Sequence, residues 1–387
     1  MTQRITISLS NIVLFFATLL LLLLLWQLRS LLVILMISVV LATSIAPVVD
    51  WAERWRVPRW LSAVFVYLLL IAGLTGFGLL IGPKILEQIE RLARQLPTFF
   101  DSVRGLVESF SLRLSDPPPE FIREFLNPQS LTNWVFRSGQ QLVLRSYGIT
   151  RGIVGAVFSL ILSLFISGYI VADSKTLVRS ITELFPYPWN HRLNAQAATI
   201  TDRMGGYIRG RVIVSAILGL ATTTGLTFLG LREFSLALGA IAGVTNLIPF
   251  LGPIIGAVPA LVVASSQGWW TLLWVLILFV VIQNLETYVL DPLLVGTSVG
   301  VHPLYQLLSV LGGVQVLGII GALIVPPWFA GASVLVENLY LKPKQAIEQE
   351  SMQAAIAPAD GLTDNTTERS RSVAAGKSPA VATSDEG

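Results

Sequence analysis

The sequence predicts an all-α, polytopic integral membrane helical bundle of about eight transmembrane helices, with Gly/Pro-broken or re-entrant segments in its C-terminal half. Three observations lead there. The 387 residues are 53% hydrophobic and only 13% charged, about half the charge of an average soluble domain. Charges are absent from Arg4 to Arg29, Arg29 to Asp50, Arg59 to Lys84, Arg151 to Asp173 and Arg211 to Arg232. Each interval holds roughly 20 residues or more, the length a helix needs to cross about 30 Å of hydrocarbon. Two further intervals, Glu233 to Glu286 and Asp291 to Glu337, are about twice that length and have room for two passes each.

The elements follow in order. The Leu-packed run from Ile12 to Trp26 lacks a small-residue cleavage site after it, and a second span follows at once; it reads as a retained helix, not a signal peptide. Residues 1–83 form three N-terminal transmembrane helices. Basic residues gather in alternate loops. Arg4, then Arg54, Arg56 and Arg59, then Lys175, Arg179, Arg192, Arg203, Arg209 and Arg211, then Lys342 and Lys344 fall on one side. Leaving aside the long 84–148 segment and its Arg151 flank, whose charges say little about topology, Arg29 and Arg232 fall on the other. The positive-inside rule puts both termini in the cytoplasm. Trp51, Trp55, Trp60, Trp269, Trp270 and Trp328 sit near span ends as interfacial anchors.

Residues 84–148 read as an extracytoplasmic amphipathic segment. Ile85, Ile89, Leu92, Leu96, Phe99, Val103, Leu106, Phe110 and Leu114 recur at steps of three and four, one apolar stripe on a helix that Pro97 is expected to interrupt. The stripe suits packing on the membrane or on its own bundle, or a coiled-coil-like contact between subunits. Asp116-Pro117-Pro118-Pro119 ends it with a stiff turn. Residues 149–341 form the C-terminal transmembrane transport region. Residues 342–387, rich in Ala, Ser, Thr, Asp and Glu, read as a disordered cytoplasmic tail.

Several chemistries drop out. Cysteine is absent, so disulfides and thiolate metal sites are excluded. His191 and His302 are the only histidines, too few for a histidine metal centre. No phosphate loop or dinucleotide fingerprint is present, so no cofactor is expected. The net charge of +3 is the topology signal of a membrane protein, and no basic stripe with interleaved aromatics points to nucleic acid. Gly296-Thr297-Ser298-Val299-Gly300 fits a hydrolase elbow and has His302 nearby. It follows a membrane helix and lacks the strand–turn–helix setting that elbow needs. No enzymatic activity is expected.

The two long apolar regions hold the functional signal. The first contains Asn246-Leu247-Ile248-Pro249-Phe250-Leu251-Gly252-Pro253, then Gly256 and Pro259. The second contains Gly312, Gly313, Gly318, Gly321 and Pro326-Pro327. Prolines flanking a glycine break a helix. The freed backbone groups cannot face lipid and must line a cavity. Paired interruptions of this kind point to a transporter substrate site. Ile-Ile-Gly-Ala occurs in both regions, at Ile254–Ala257 and Ile319–Ala322, which hints at an internal repeat. Between the regions lie Gln283, Glu286 and Asp291. Glu286 falls within a span of normal length, where a carboxylate is expensive and marks a functional position. Gln283 is one turn away on the same face. Asn246, Pro249, Gly252, Pro253, Gln283, Glu286 and Asp291 are therefore the candidate substrate or ion pathway.

These residues resemble the signature of the AI-2E transporter family, the PerM-like permeases. The likeness rests on Asn246 to Pro253, on Gln283-x-x-Glu286 leading to Pro292 and Gly296, on Gly300-Val301-His302-Pro303, and on Tyr207-Ile208-Arg209-Gly210. It extends from the first hairpin to about Leu341. Arg211, where Gln is more usual, and Tyr288, where Asn is common, depart from the pattern. The resemblance implies a secondary permease of the bacterial inner membrane for a small solute, with export of the autoinducer-2 signal as one activity and Na+(Li+)/H+ antiport as the alternative. A non-transporting membrane scaffold is a further alternative. The expected partners are the lipid bilayer, the small-molecule or ion substrate and further copies of the chain in a homo-oligomer.

Overall fold

The computed structural model describes residues 9–114, 146–296 and 303–356. The turn at Asp116–Pro119, the Ser298 and His302 of the elbow-like motif and residues 357–387 lie outside the described residues. Contacts divide the chain into two units, residues 1–334 and 335–387.

All regular elements among the described residues are helical. They are α1 (Leu9–Gln27), α2 (Arg29–Glu53), α3 (Arg59–Leu114), α4 (Ser146–Ala172), α5 (Ser174–Glu183), α6 (Trp189–Phe228), α7 (Ser235–Thr245), α8 (Leu251–Ser265), α9 (Trp269–Leu285), a π-helical continuation (Glu286–Gly296), α10 (Pro303–Val336), a second π-helical stretch (Glu337–Leu341) and α11 (Lys342–Ile356). Five of the described helices are long and apolar enough to cross a membrane, or six if α4 and α5, bent by 84° at their junction, count as one span. This is a polytopic membrane protein. The expected total of about eight is approached only with shorter helices, because the two long apolar regions fold back on themselves.

The first fold-back is α7 and α8. At 11 and 15 residues they are about 16 and 22 Å long, short of a full crossing. They run antiparallel in close contact: a Cβ on Gly252 would overlap the Thr245 carbonyl, and one on Gly256 would press on the Ala242 Cα. Thr245 Oγ1 stitches the two arms by donating to the Gly252 carbonyl at 3.0 Å. The second fold-back is α10. Gly318 takes φ 66° and ψ −148°, a conformation open to glycine. The chain then doubles back until the backbones of Gly313 and Gly321 touch. The break falls at Gly318; Pro326 and Pro327 continue inside the helix. Both Ile-Ile-Gly-Ala segments open the second arm of a fold-back, and in both the glycine is where the arms meet. Between the two, the 28 residues of Trp269–Gly296 are long and apolar enough to cross a membrane.

The N-terminal helices frame this region. Ala42, Val49, Ala63, Val66, Tyr67 and Val171 bind α2, α3 and α4 together, with the Tyr67 and Ser167 hydroxyls hydrogen-bonded across the seam. Arg59 ties the base of the same seam to Asp50 and Glu53 at 2.8 and 2.9 Å. Pro47 lies inside α2 and has no N–H for the Thr43 carbonyl. Arg209 of α6 donates to that carbonyl and to Ser44 O, each at 3.2 Å. Gly205 lets α6 come this close, because a Cβ there would overlap the Thr43 oxygen.

Two sequence expectations change. Pro97 does not interrupt the extracytoplasmic stripe; α3 is one helix of 56 residues with Pro83 and Pro97 inside it. Pro97 and Ala93, whose carbonyl it orphans, are exposed, so water can take the lost donor's place. The stripe packs on its own bundle: Leu92 and Phe99 join the core around Leu226, Leu238 and Val275. Gln88 of α3 accepts a hydrogen bond from the Ala237 N–H at 2.9 Å, satisfying an open donor in the first turn of α7. The second change is in the tail, where α11 runs to Ile356 rather than the chain being disordered from residue 342. Ala, Gln, Glu, Lys and Met there are strong helix formers, and Lys344–Glu348 adds a pair one turn apart at 3.6 Å.

Candidate functional site

The site is built where the turn of the first fold-back meets the π-helical segment and α6. Asn246 closes α7, and Phe250 at φ 65° turns the chain into α8. Pro249 lies in this turn. Pro253 is in the first turn of α8, where its missing N–H would have had no helical partner. The prolines thus mark the break as the sequence suggested, while Gly252 lets the arms touch.

Glu286 opens the π-helix and Asp291 lies five residues on. In an α-helix, residues five apart point in well-separated directions. A π-helix bonds i to i+5, which stacks them. Pro292 sits inside this wide segment, where its missing N–H already interrupts α-helical bonding. Both carboxylates therefore reach one cation. Arg211 Nη1 is 2.9 Å from Glu286 Oε1 and 3.2 Å from Asp291 Oδ1. Its Nη2 donates to Asn246 Oδ1 at 3.5 Å. Arg211 is 2% exposed and Glu286 3%, whereas the Asp291 side chain is 37% exposed. Charges so deeply buried are tolerated only in pairs. Arg211 and Glu286 compensate one another, and Asp291 keeps contact with solvent.

Asn246 and Glu286 of this cluster line a cavity of about 320 Å³, walled also by Pro253, Gln283, Thr222 and apolar residues. Gln283 also donates from Nε2 to Thr287 Oγ1 at 3.3 Å. Among the described residues Arg211 Nε and Ser215 Oγ are buried without a hydrogen-bond partner. Ser215 is one turn beyond Arg211 on α6, so these open groups share one neighbourhood. The described residues hold no cluster of His, Cys, Asp and Glu able to bind a metal.

Of the candidates, Asn246, Pro253, Gln283 and Glu286 meet on the cavity wall. Asp291 joins through Arg211, and Pro249 and Gly252 shape the turn. The second broken region is not on this wall. Arg211 is the residue that sequence reasoning misplaced: it is not in a cytoplasmic loop but within α6, a helix of 40 residues. A signal existed, since carboxylates inside a span require a positive partner and Arg211 is the last charge before the apolar run of α6.

YrrI of Bacillus subtilis, named as a candidate transport protein, is 30% identical over 316 residues, 80% of this chain and 86% of the relative. YueF of the same organism, similarly named, is 25% identical over 80% of this chain and 85% of its own. TqsA of Escherichia coli, named an AI-2 transport protein, is 22% identical over 75% of this chain and 81% of its own. The profile of the AI-2E family transporters matches residues 14–341, nearly the whole described helical bundle, and the chain belongs to that family.

Proposed function

We propose that this chain is a secondary permease of the bacterial inner membrane, with both termini cytoplasmic, that moves a small polar organic solute through the cavity beside Glu286. Autoinducer-2 is the first substrate to test. One observation carries the reading: Asn246 at the end of α7, Gln283 of α9 and Glu286 of the π-helical segment converge on a cavity of about 320 Å³ inside segments that are otherwise apolar. That volume suits a small ligand held by a few placed polar groups. A broken helix pair at the cavity is the arrangement secondary transporters use to offer backbone groups to a solute. The likeness to TqsA, named for AI-2 transport, supports the choice of substrate.

Cation/proton antiport is the second reading, favoured by a carboxylate, Glu286, that is 3% exposed within a span. The two readings separate in proteoliposomes. Efflux of labelled autoinducer above that of protein-free vesicles, lost on Glu286→Gln, is the expected result. A pH-sensitive dye responding to sodium or lithium, without autoinducer flux, would favour antiport. Neither signal from folded protein would sink both and leave a membrane scaffold.

A further inference from the structure

Three oxygens from two elements surround a single positive charge in the buried cluster. Glu286 Oε1 and Asp291 Oδ1 come from the π-helical segment at 2.9 and 3.2 Å, and Asn246 Oδ1 comes from the turn after α7 at 3.5 Å. Ser215 Oγ, one turn from Arg211 on α6, is buried and unpartnered among the described residues. Two carboxylates and an amide oxygen form the kind of oxygen-only set that hard cations take. Here the positive charge belongs to the protein itself.

We infer that Arg211 is a tethered counter-cation: it stands where a sodium or lithium ion would otherwise sit among Glu286, Asp291 and Asn246, so transport by this protein needs no monovalent metal ion. The inference rests on the proposed transport site but concerns how its charge is balanced. Glu286 is 3% exposed, and its ionised form cannot stay buried without compensation. Arg211 supplies that compensation permanently. A freely exchanging ion would instead have to be bound and released in each cycle. Without the guanidinium, the same oxygens are left as an uncompensated acidic pocket that can be neutralised only by a proton or an added cation.

The test compares the wild type with Arg211→Gln and Arg211→Lys, purified in detergent, in sodium, lithium and N-methylglucamine chlorides of equal ionic strength. Melting is followed first, because it needs no transported solute and so remains informative if the solute assignment fails. The wild type should melt alike in all three salts. Arg211→Gln, which removes the charge and keeps a polar side chain, should gain about 5 °C or more in sodium or lithium. Arg211→Lys, which keeps the charge, should not respond. Adding Glu286→Gln to Arg211→Gln should abolish the gain, placing the ion at the carboxylate. In proteoliposomes, solute flux by the wild type should be equal with and without sodium, and flux by Arg211→Gln should require it. Stabilisation of the wild type by either metal ion would overturn the inference, as would an Arg211→Gln protein that folds and ignores both. Failure of Arg211→Gln to fold in every salt while Arg211→Lys folds would also overturn it, because the ion then does not replace the guanidinium.

Discussion

Arg209 donates from α6 to the Thr43 carbonyl of α2 at 3.2 Å, the carbonyl that Pro47 leaves without a helical donor. A kink residue in one helix and a cation in another thus complete a single hydrogen-bonding position. Arg209→Ala should destabilise the protein by about 1–2 kcal/mol, the range for a charge-assisted bond weakened by alternatives in the membrane. In a Pro47→Ala background the loss should shrink, because the restored N–H serves Thr43. A double-mutant cycle by unfolding in detergent measures the coupling; strict additivity would contradict this account.

The glycines of the second fold-back make a matched pair of variants. A Cβ on Gly313 would strike the Gly321 carbonyl, whereas one on Gly312 would meet nothing within 4 Å. Gly313→Ala should lower stability by about 1–3 kcal/mol through overpacking. Gly312→Ala should be neutral or slightly stabilising, since alanine favours helix. Melting temperatures of the two variants side by side check this.

The two carboxylates should differ sharply in consequence. Glu286→Gln leaves the buried guanidinium without its closest partner and should cost about 3–5 kcal/mol, with loss of solute flux. Asp291→Asn alters a group that is 37% exposed and should cost about 1 kcal/mol or less. Denaturation midpoints and flux on the same preparations provide the comparison; equal effects would show that the cluster is not organised around Glu286.

Gln88→Ala removes the side chain that meets the first turn of α7. The expected loss is about 0.5–2 kcal/mol, as for other helix caps, and it should be local. Hydrogen exchange should quicken at the amides of residues 235–238 and stay unchanged in α2 and α4.

Much of this was legible in the residues. Charge-free intervals announced the spans, because a bilayer penalises charge wherever it sits. Asn246 to Pro253 announced the break, because proline and glycine act locally. Gln283 and Glu286 announced the cavity wall through their spacing. Other features depended on neighbours that sequence distance conceals. Arg211 looked like one more loop cation because Arg203 and Arg209 precede it; only α6 running unbroken past them puts it inside. The residues from Gly312 to Pro327 announce a second break, but they do not say which of them makes it; it falls at Gly318, where a backbone able to take positive φ decides the matter, and not at the prolines. Pro97 suggests an interruption, but one missing donor on an exposed face does not break this helix.

The winding from Glu286 to Gly296 has a consequence for how this helix tolerates change in chain length. A π-helical turn absorbs one extra residue without a loop, so the five-residue step from Glu286 to Asp291 turns through about the same angle as a four-residue α-helical step. Rewinding this stretch to an α-helix at its present length would swing Asp291 away from Arg211 while Glu286 stayed in place. Removing one residue at the same time, for example the 75% exposed Tyr288, would bring it back. Winding and length are therefore matched, and together they keep two acids facing one base.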